Sequence, residues 1–369
     1  MSTSRTATQA LGVALGARVP ALLWGAPGTG KSSVVRALAD TLGWPCQVVI
    51  ASIREPSDFA GLPVVAGDGV RFAPPSWARE LADAGRGVLF LDEISTAPPA
   101  VQAALLRVVL ERTVGDLVLP AEVVVVAAAN PPELAADGWD LSAPLANRFC
   151  HLDWSVDAAE IATGLAAGFP RPDAPRPGPA WERARARARA DVAAFLLLRP
   201  SLVSAPPAER SLAGRAWPSP RTWEMAATLL AAARGAGAHP EVLAALLIGC
   251  VGPGAGLELV TWLADLDLPD PEALLADPAS FVLPERGDQV YAALTAVAAA
   301  VAARATPERW AAGWQVLGAA ARTVPDVAAL AARILVRCRP DEATAPPEAG
   351  LLLPLLIQAG IAGDEPGAG

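Results

Sequence analysis

Two kinds of apolar pattern alternate along the first part of the chain. Short unbroken runs, ALLW (21–24), QVVIAS (47–52), VLFLDE (88–93), VVVVAAAN (123–130) and FCHLDW (149–154), are separated by stretches of helical spacing such as SVVRALADTLG and AVQAALLRVVLE. A run without polar alternation suits a strand buried on both faces, and helical spacing suits a crossover lying on the sheet. The pattern therefore predicts an α/β fold built on a parallel sheet. Two pieces interrupt the alternation. Between 57 and 86, LPVV and VRF flank the turn sequence AGDG, which predicts a β-hairpin inserted in a helical connection. TVGDLVLP (113–120) predicts a second small hairpin just ahead of VVVVAAAN.

Beyond Trp154 the strand pattern gives way to Ala/Leu helical patterns, punctuated by proline-rich segments at Phe169 to Pro179 and Pro200 to Pro220. This shift marks a domain boundary, and a second is placed near Pro284. The organisation expected is a core at 1–153, a helical domain at 154–283 and a helical extension at 284–369. The run Arg183, Arg185, Arg187, Arg189 has period two, but Ala and Arg are good helix formers, so a solvated helix is expected there. No repeat with a clear motif period emerges.

Composition narrows the class. A chain of 369 residues accommodates two or three domains, and 53% hydrophobic against 5% aromatic residues agrees with extensive helix. The 11 Trp residues mostly sit in apolar patterns and read as core. A net charge of −9 without a basic stripe disfavours nucleic acid as a partner. Cys46, Cys150, Cys250 and Cys338 form no C-x-x-C pair, so isolated buried thiols are expected rather than a zinc site or disulfides. His151 and His239 are too few for a histidine-rich metal site, and His151 reads as a core or edge residue. Arg18 and Pro20 break the apolar character of the N-terminus, and runs such as Val242 to Gly256 fall short of a membrane span. The expectation is a soluble cytoplasmic protein.

The chemistry begins at GAPGTGKS, residues Gly25 to Ser32, which satisfies the phosphate-loop pattern G-x-x-x-x-G-K-[ST] directly after ALLW and before a helical pattern. Glycines let the backbone approach phosphate closely, and the helix N-terminus favours the anion. Lys31 supplies charge to the outer phosphates, and the Ser32 hydroxyl is the expected Mg²⁺ ligand. VLFLDE ends in Asp92 and Glu93: the first suits the Mg²⁺ water shell, the second the polarisation of an attacking water. Asn130 closes VVVVAAAN and can accept from a water and donate to phosphate. Arg148 precedes the last strand, and Arg221 in WPSPRTWE lies in a first helical turn, where an arginine gains nothing from the helix dipole; this points to an anionic partner.

With these residues the chain resembles AAA+ ATPases and, within them, is similar to the MoxR family, over Ala7 to about Pro278. The resemblance assigns Gly25 to Ser32 as Walker A, Leu89 to Glu93 as Walker B, Asn130 as sensor 1, Arg148 as arginine finger and Arg221 as sensor 2. The hairpin in Ser57 to Pro75 resembles the helix-2 insert, and Thr113 to Pro120 the pre-sensor-1 hairpin. It implies a P-loop NTPase sheet followed by an all-helical lid and a C-terminal helical extension. ATP and Mg²⁺ are the implied cofactors, with Gly25, Ala26, Pro27, Gly28, Thr29, Gly30, Lys31, Ser32, Ser33 and Arg221 on the nucleotide. It further implies a homo-hexameric ring in which Arg148 reaches the neighbour's ATP, and a protein client, such as a protein with a von Willebrand factor A domain, that is remodelled or activated. A nucleotide-gated scaffold is the alternative, and a DNA-linked motor a lower one. A small-molecule kinase has no evident need for Asn130, Arg148 and a large lid, and no N-K-x-D segment supports GTP.

Overall fold

The computed structural model describes residues 3–67, 69–131, 139–175, 178–266 and 268–358. Its strands are β1 (Ala21–Trp24), β2 (Cys46–Ile50), β3 (Leu62–Ala66), β4 (Gly69–Ala73), β5 (Arg86–Asp92), β6 (Thr113–Val114), β7 (Leu117–Val118), β8 (Glu122–Ala129) and β9 (Cys150–Asp153). The helices of the first half are α1 (Thr3–Gly16), α2 (Lys31–Leu42), α3 (Ser57–Ala60), α4 (Ser76–Ala84), α5 (Pro99–Glu111) and α6 (Ala143–Ala146). After β9 come α7 (Ala158–Ala167), α8 (Pro179–Leu198), α9 (Pro220–Gly235), α10 (Pro240–Val251), α11 (Pro253–Ala264), α12 (Pro271–Ala276), α13 (Gly287–Ala303), α14 (Pro307–Ala321), α15 (Pro325–Arg337) and α16 (Pro347–Gln358). None of the described helices is long and apolar enough to cross a membrane.

By compactness the chain forms two units, Met1–Trp181 with Ser201–Val260, and Glu182–Pro200 with Thr261–Gly369. The first contains a five-stranded sheet of order β2-β5-β8-β1-β9, parallel at every pairing. Its central strands are buried on both faces, which is why ALLW and VVVV show no polar alternation. Leu22, Leu89, Leu91 and Val125 face a core completed by Phe59 and Leu105. The register aligns Trp24 with Ala129 and Leu91 with Ala127, so three strands end at one edge. That edge is where a parallel sheet presents ligand-binding loops.

The two inserted hairpins form as expected, β3 pairing with β4 and β6 with β7. Asp68 of the AGDG turn lies outside the described residues. The hairpins are joined at their roots: the Phe72 N–H donates to Asp116 Oδ2 at 2.7 Å, and the Asp116 N–H donates to Phe72 O at 3.0 Å. Gly115, at φ 58°, lets this approach happen, since a Cβ there would lie 2.4 Å from Phe72 O. Val65, Val70 and Phe72 remain exposed.

The second unit is helical. Trp310 and Trp314 meet edge to face with ring centroids 5.8 Å apart, the Trp310 indole N–H donates to Leu335 O at 2.8 Å, and Leu294 and Leu317 close the core. α8 is helical through Arg185, Arg187 and Arg189, and Arg187 pairs with Asp191 one turn on at 3.2 Å. The side chain of Arg183 lies outside the described residues. The cysteines are not all isolated: Cys46 and Cys338 are half-buried, whereas Cys150 on β9 and Cys250 on α10 are buried beside each other. Burial, then the neighbouring Cys150 thiol, pushes Cys250 well above the ordinary thiol range. The two meet because α10 packs on β9, a relation no spacing pattern encodes.

Candidate functional site

The phosphate loop bridges β1 and α2. The Gly25 N–H continues the β1–β8 ladder by donating to Ala129 O at 3.2 Å, and the chain then turns through Gly28 (φ 75°) and Gly30 (φ 87°) into the helix. Both glycines occupy left-handed backbone that a side chain would penalise by about 1–2 kcal/mol. Thr29 Oγ1 donates to Ala26 O at 2.7 Å across the loop. Lys31 is buried, with its ammonium 2.7 Å from Gly25 O, 2.9 Å from Ala26 O and 3.1 Å from Asn130 Oδ1. Burial draws its pKa below the ordinary lysine value, while the charges of Asp92 and then Glu93 oppose that shift.

The carboxylates converge from β5. Ser32 Oγ donates to Asp92 Oδ2 at 2.7 Å, which brings hard oxygen donors from two motifs together. A hydroxyl beside a carboxylate at the end of a phosphate loop fits Mg²⁺, which takes few protein oxygens and keeps waters and phosphate oxygens for the rest. Glu93, exposed, takes φ 56° at the residue that opens the short 3-10 turn Ile94–Thr96. A left-handed non-glycine residue is uncommon, and it aims the Glu93 side chain away from the strand direction. Asn130 is tied to the same turn: its N–H donates to Ser95 Oγ at 3.2 Å.

Lys31, Ser32, Asp92, Glu93 and Asn130 thus surround one point at the sheet edge. Arg148 and Arg221 form a separate group. The Arg148 guanidinium donates to Pro144 O, while its Nε is buried without a hydrogen-bond partner. Burial, followed by the like charge of Arg221, pulls the Arg148 guanidinium below its ordinary value. Arg221 is exposed in the first turn of α9, whose start is set by Ser219 and Thr222 in a capping box. Asn147 anchors that cap, accepting from Ser219 Oγ at 2.8 Å, so the elements carrying the two arginines are fastened together.

Several residues at the site carry no motif. Ser52, just past β2, donates to Glu93 Oε2 at 2.5 Å. Trp154, following β9, donates from its indole to Thr29 O at 3.0 Å. Trp24 donates to His151 Nδ1 at 2.9 Å, so the proton of His151 sits on Nε2, 2.8 Å from Ala146 O. Burial foremost holds the His151 pKa down to about 4. Arg215 stacks 4.0 Å over Trp24 and pairs with Asp153 at 3.1 Å. The aromatic run-end of FCHLDW was the single hint of this packing in the sequence.

Residues 20–149 match the AAA domain of the dynein-related subfamily. That stretch holds all the site residues from Gly25 to Arg148 and leaves out Trp154 and Arg221. Among solved structures the chain is similar to a candidate ATPase from Cytophaga hutchinsonii, with 17% identity over 68% of this chain and 78% of that one and a TM-score of 0.36. It is also similar to a full-length MCM homolog from Methanopyrus kandleri, with 20% identity, 69% and 54% covered and a TM-score of 0.41. NtrX from Brucella abortus gives 17% identity, 49% and 45% covered and a TM-score of 0.31. The chain thus spans about half the length of the latter two, and scores this low say nothing of activity. No curated protein matches the chain. The architecture is an α/β P-loop core with a helical C-terminal part.

Proposed function

We propose that this chain hydrolyses ATP with Mg²⁺ as a subunit of a MoxR-like AAA+ ring and uses the cycle to remodel or activate a partner protein. The convergence of Lys31, Ser32, Asp92, Glu93 and Asn130 at one sheet edge carries the reading. In it, residues 1–153 are the ATPase core, 154–283 the lid and 284–369 an extension. The loop from Gly25 to Ser33 turns its N–H groups to the phosphates, and Lys31 neutralises the outer ones. Ser32 and Asp92 would hold Mg²⁺, which when bound would supply charge neutralisation to the phosphates. A water oriented by Asn130 attacks the γ-phosphorus as the bond to the β–γ bridging oxygen breaks, and Glu93 accepts the proton the water releases.

Arg148 and Arg221 serve a neighbouring subunit's nucleotide in this reading. Two like charges held together, one with a buried orphan Nε, call for an anion, and among the described residues neither has a carboxylate partner. A γ-phosphate from the next subunit supplies it. The exposed apolar residues of the joined hairpins support a protein client, a von Willebrand factor A domain protein being the kind the resemblance suggests. The test is turnover and binding in two variants. Glu93→Gln is expected to bind ATP normally with hydrolysis reduced by at least about 10²-fold, and Lys31→Ala to lose both. Wild-type turnover in the two variants rejects the reading, and co-purification with Glu93→Gln under ATP identifies the client.

A further inference from the structure

We propose that Trp154 is a positioning residue for the phosphate loop, holding it in its nucleotide-binding shape through one indole hydrogen bond. The inference rests on the ATPase reading above and adds a residue that lies outside every motif and outside the matched domain stretch.

Trp154 touches the loop at two places. Its own N–H donates to Trp24 O at 2.6 Å, extending the β1–β9 pairing by one residue and fixing its backbone beside the loop's start. There its carbonyl oxygen lies where a Cβ on Gly25 would be, at 2.5 Å, so Gly25 is glycine because Trp154 occupies the space. The indole then spans to the loop's far side, where Nε1 donates to Thr29 O at 3.0 Å.

The consequence follows from peptide geometry. In a trans peptide the carbonyl and the following N–H point in opposite directions. Anchoring Thr29 O on the indole therefore turns the Gly30 N–H to the opposite side of the peptide, which is the side a phosphate occupies in the reading above. Gly30, at φ 87°, has no side-chain preference of its own to hold this peptide, so an external anchor has work to do. Thr29 Oγ1 braces the same turn from within through Ala26 O. The loop is thus clamped by Trp154 from outside and by Thr29 from inside.

Trp154 also closes a short chain of connections. Asp153, its neighbour on β9, pairs with Arg215, and the same strand begins just after Arg148. A displacement of β9 on either account reaches the loop through the indole.

The experiment compares the wild type with Trp154→Phe, which keeps a ring against Gly25 and removes the donor. Binding of N-methylanthraniloyl-ADP with Mg²⁺ is expected to weaken by about three- to tenfold, the span of one hydrogen bond. The KM for ATP should rise in parallel, while kcat at saturation stays within about twofold, since the reacting groups are untouched. Equal nucleotide affinity and KM in the two proteins overturn the proposal. A fall in kcat with unchanged KM does so as well. Should the Phe variant not fold, the wild-type indole N–H of Trp154, followed by ¹H–¹⁵N resonances, is expected to exchange slowly and to shift on addition of ADP with Mg²⁺; fast exchange and an unmoved resonance overturn the proposal. Failure of the wild type to bind the fluorescent ADP overturns the ATPase reading together with this one, whereas equal binding by wild type and variant overturns this one alone.

Discussion

Ser52 Oγ donates to Glu93 Oε2 at 2.5 Å, joining the end of β2 to the residue that follows β5. The bond occupies one of the two carboxylate oxygens, and Glu93 is already turned by its left-handed backbone. Glu93 is therefore held as well as placed.

Removing this donor releases Glu93 Oε2 from its hydrogen bond. Ser52→Ala is expected to raise basal ATP turnover at saturating ATP by roughly threefold, the order of one hydrogen bond, with nucleotide affinity unchanged. The Ser52→Ala, Glu93→Gln double variant stays inactive. Steady-state phosphate release measures both, and a fall in turnover of Ser52→Ala contradicts the holding role.

Arg148 and Arg221 bear on assembly. Arg148→Ala is expected to bind ATP but hydrolyse it slowly, and mixing it with Lys31→Ala, which keeps its arginines, restores activity. In the ring proposed above, random mixing makes roughly a quarter of interfaces combine a sound loop with a sound arginine. Turnover that stays at the level of the separate variants shows that the arginine serves its own subunit.

His151 makes stability depend on pH. Its folded pKa of about 4 lies below the ordinary value of 6.5, so the unfolded chain binds the proton more tightly. Stability is full above about pH 6.5 and falls as pH drops from there towards 4, by about 3 kcal/mol in all. Urea unfolding across that range measures the slope. His151→Gln is expected to flatten it, because the remaining charges facing the ring, Asp153 and Arg215, are already paired with each other.

Gly115 tests whether the hairpins act as one body. A Cβ there meets Phe72 O at 2.4 Å and also strains a positive φ. Gly115→Ala is expected to cost about 1–3 kcal/mol in equilibrium unfolding and to raise hydrogen exchange in β3 and β4. Unchanged exchange in those strands contradicts a joined unit.

Much of the candidate site was legible because phosphate-binding chemistry calls for particular residue types at the ends of strands. Gly28, Gly30 and Lys31 could be read from the loop alone, Asp92 and Glu93 from an apolar run ending in acid, and Asn130 from closing the next run. Both hairpins were legible from turn residues between apolar pairs. Ser52 and Trp154 were not, since a serine after a strand and a tryptophan in an apolar run are equally at home in any core. Their partners lie 41 and 125 residues away, and only strand order brings them near.

The sequence by itself determined the local elements and the reactive residue types, because helix and strand periods, glycine turns and charge placement act over a few neighbouring residues. Tertiary structure alone decided which of these meet: β1 between β8 and β9, Cys150 beside Cys250, Arg148 beside Arg221, and Trp154 against Thr29. Those contacts depend on strand register and on burial shared by distant segments, and such shared burial leaves no periodic mark in the chain.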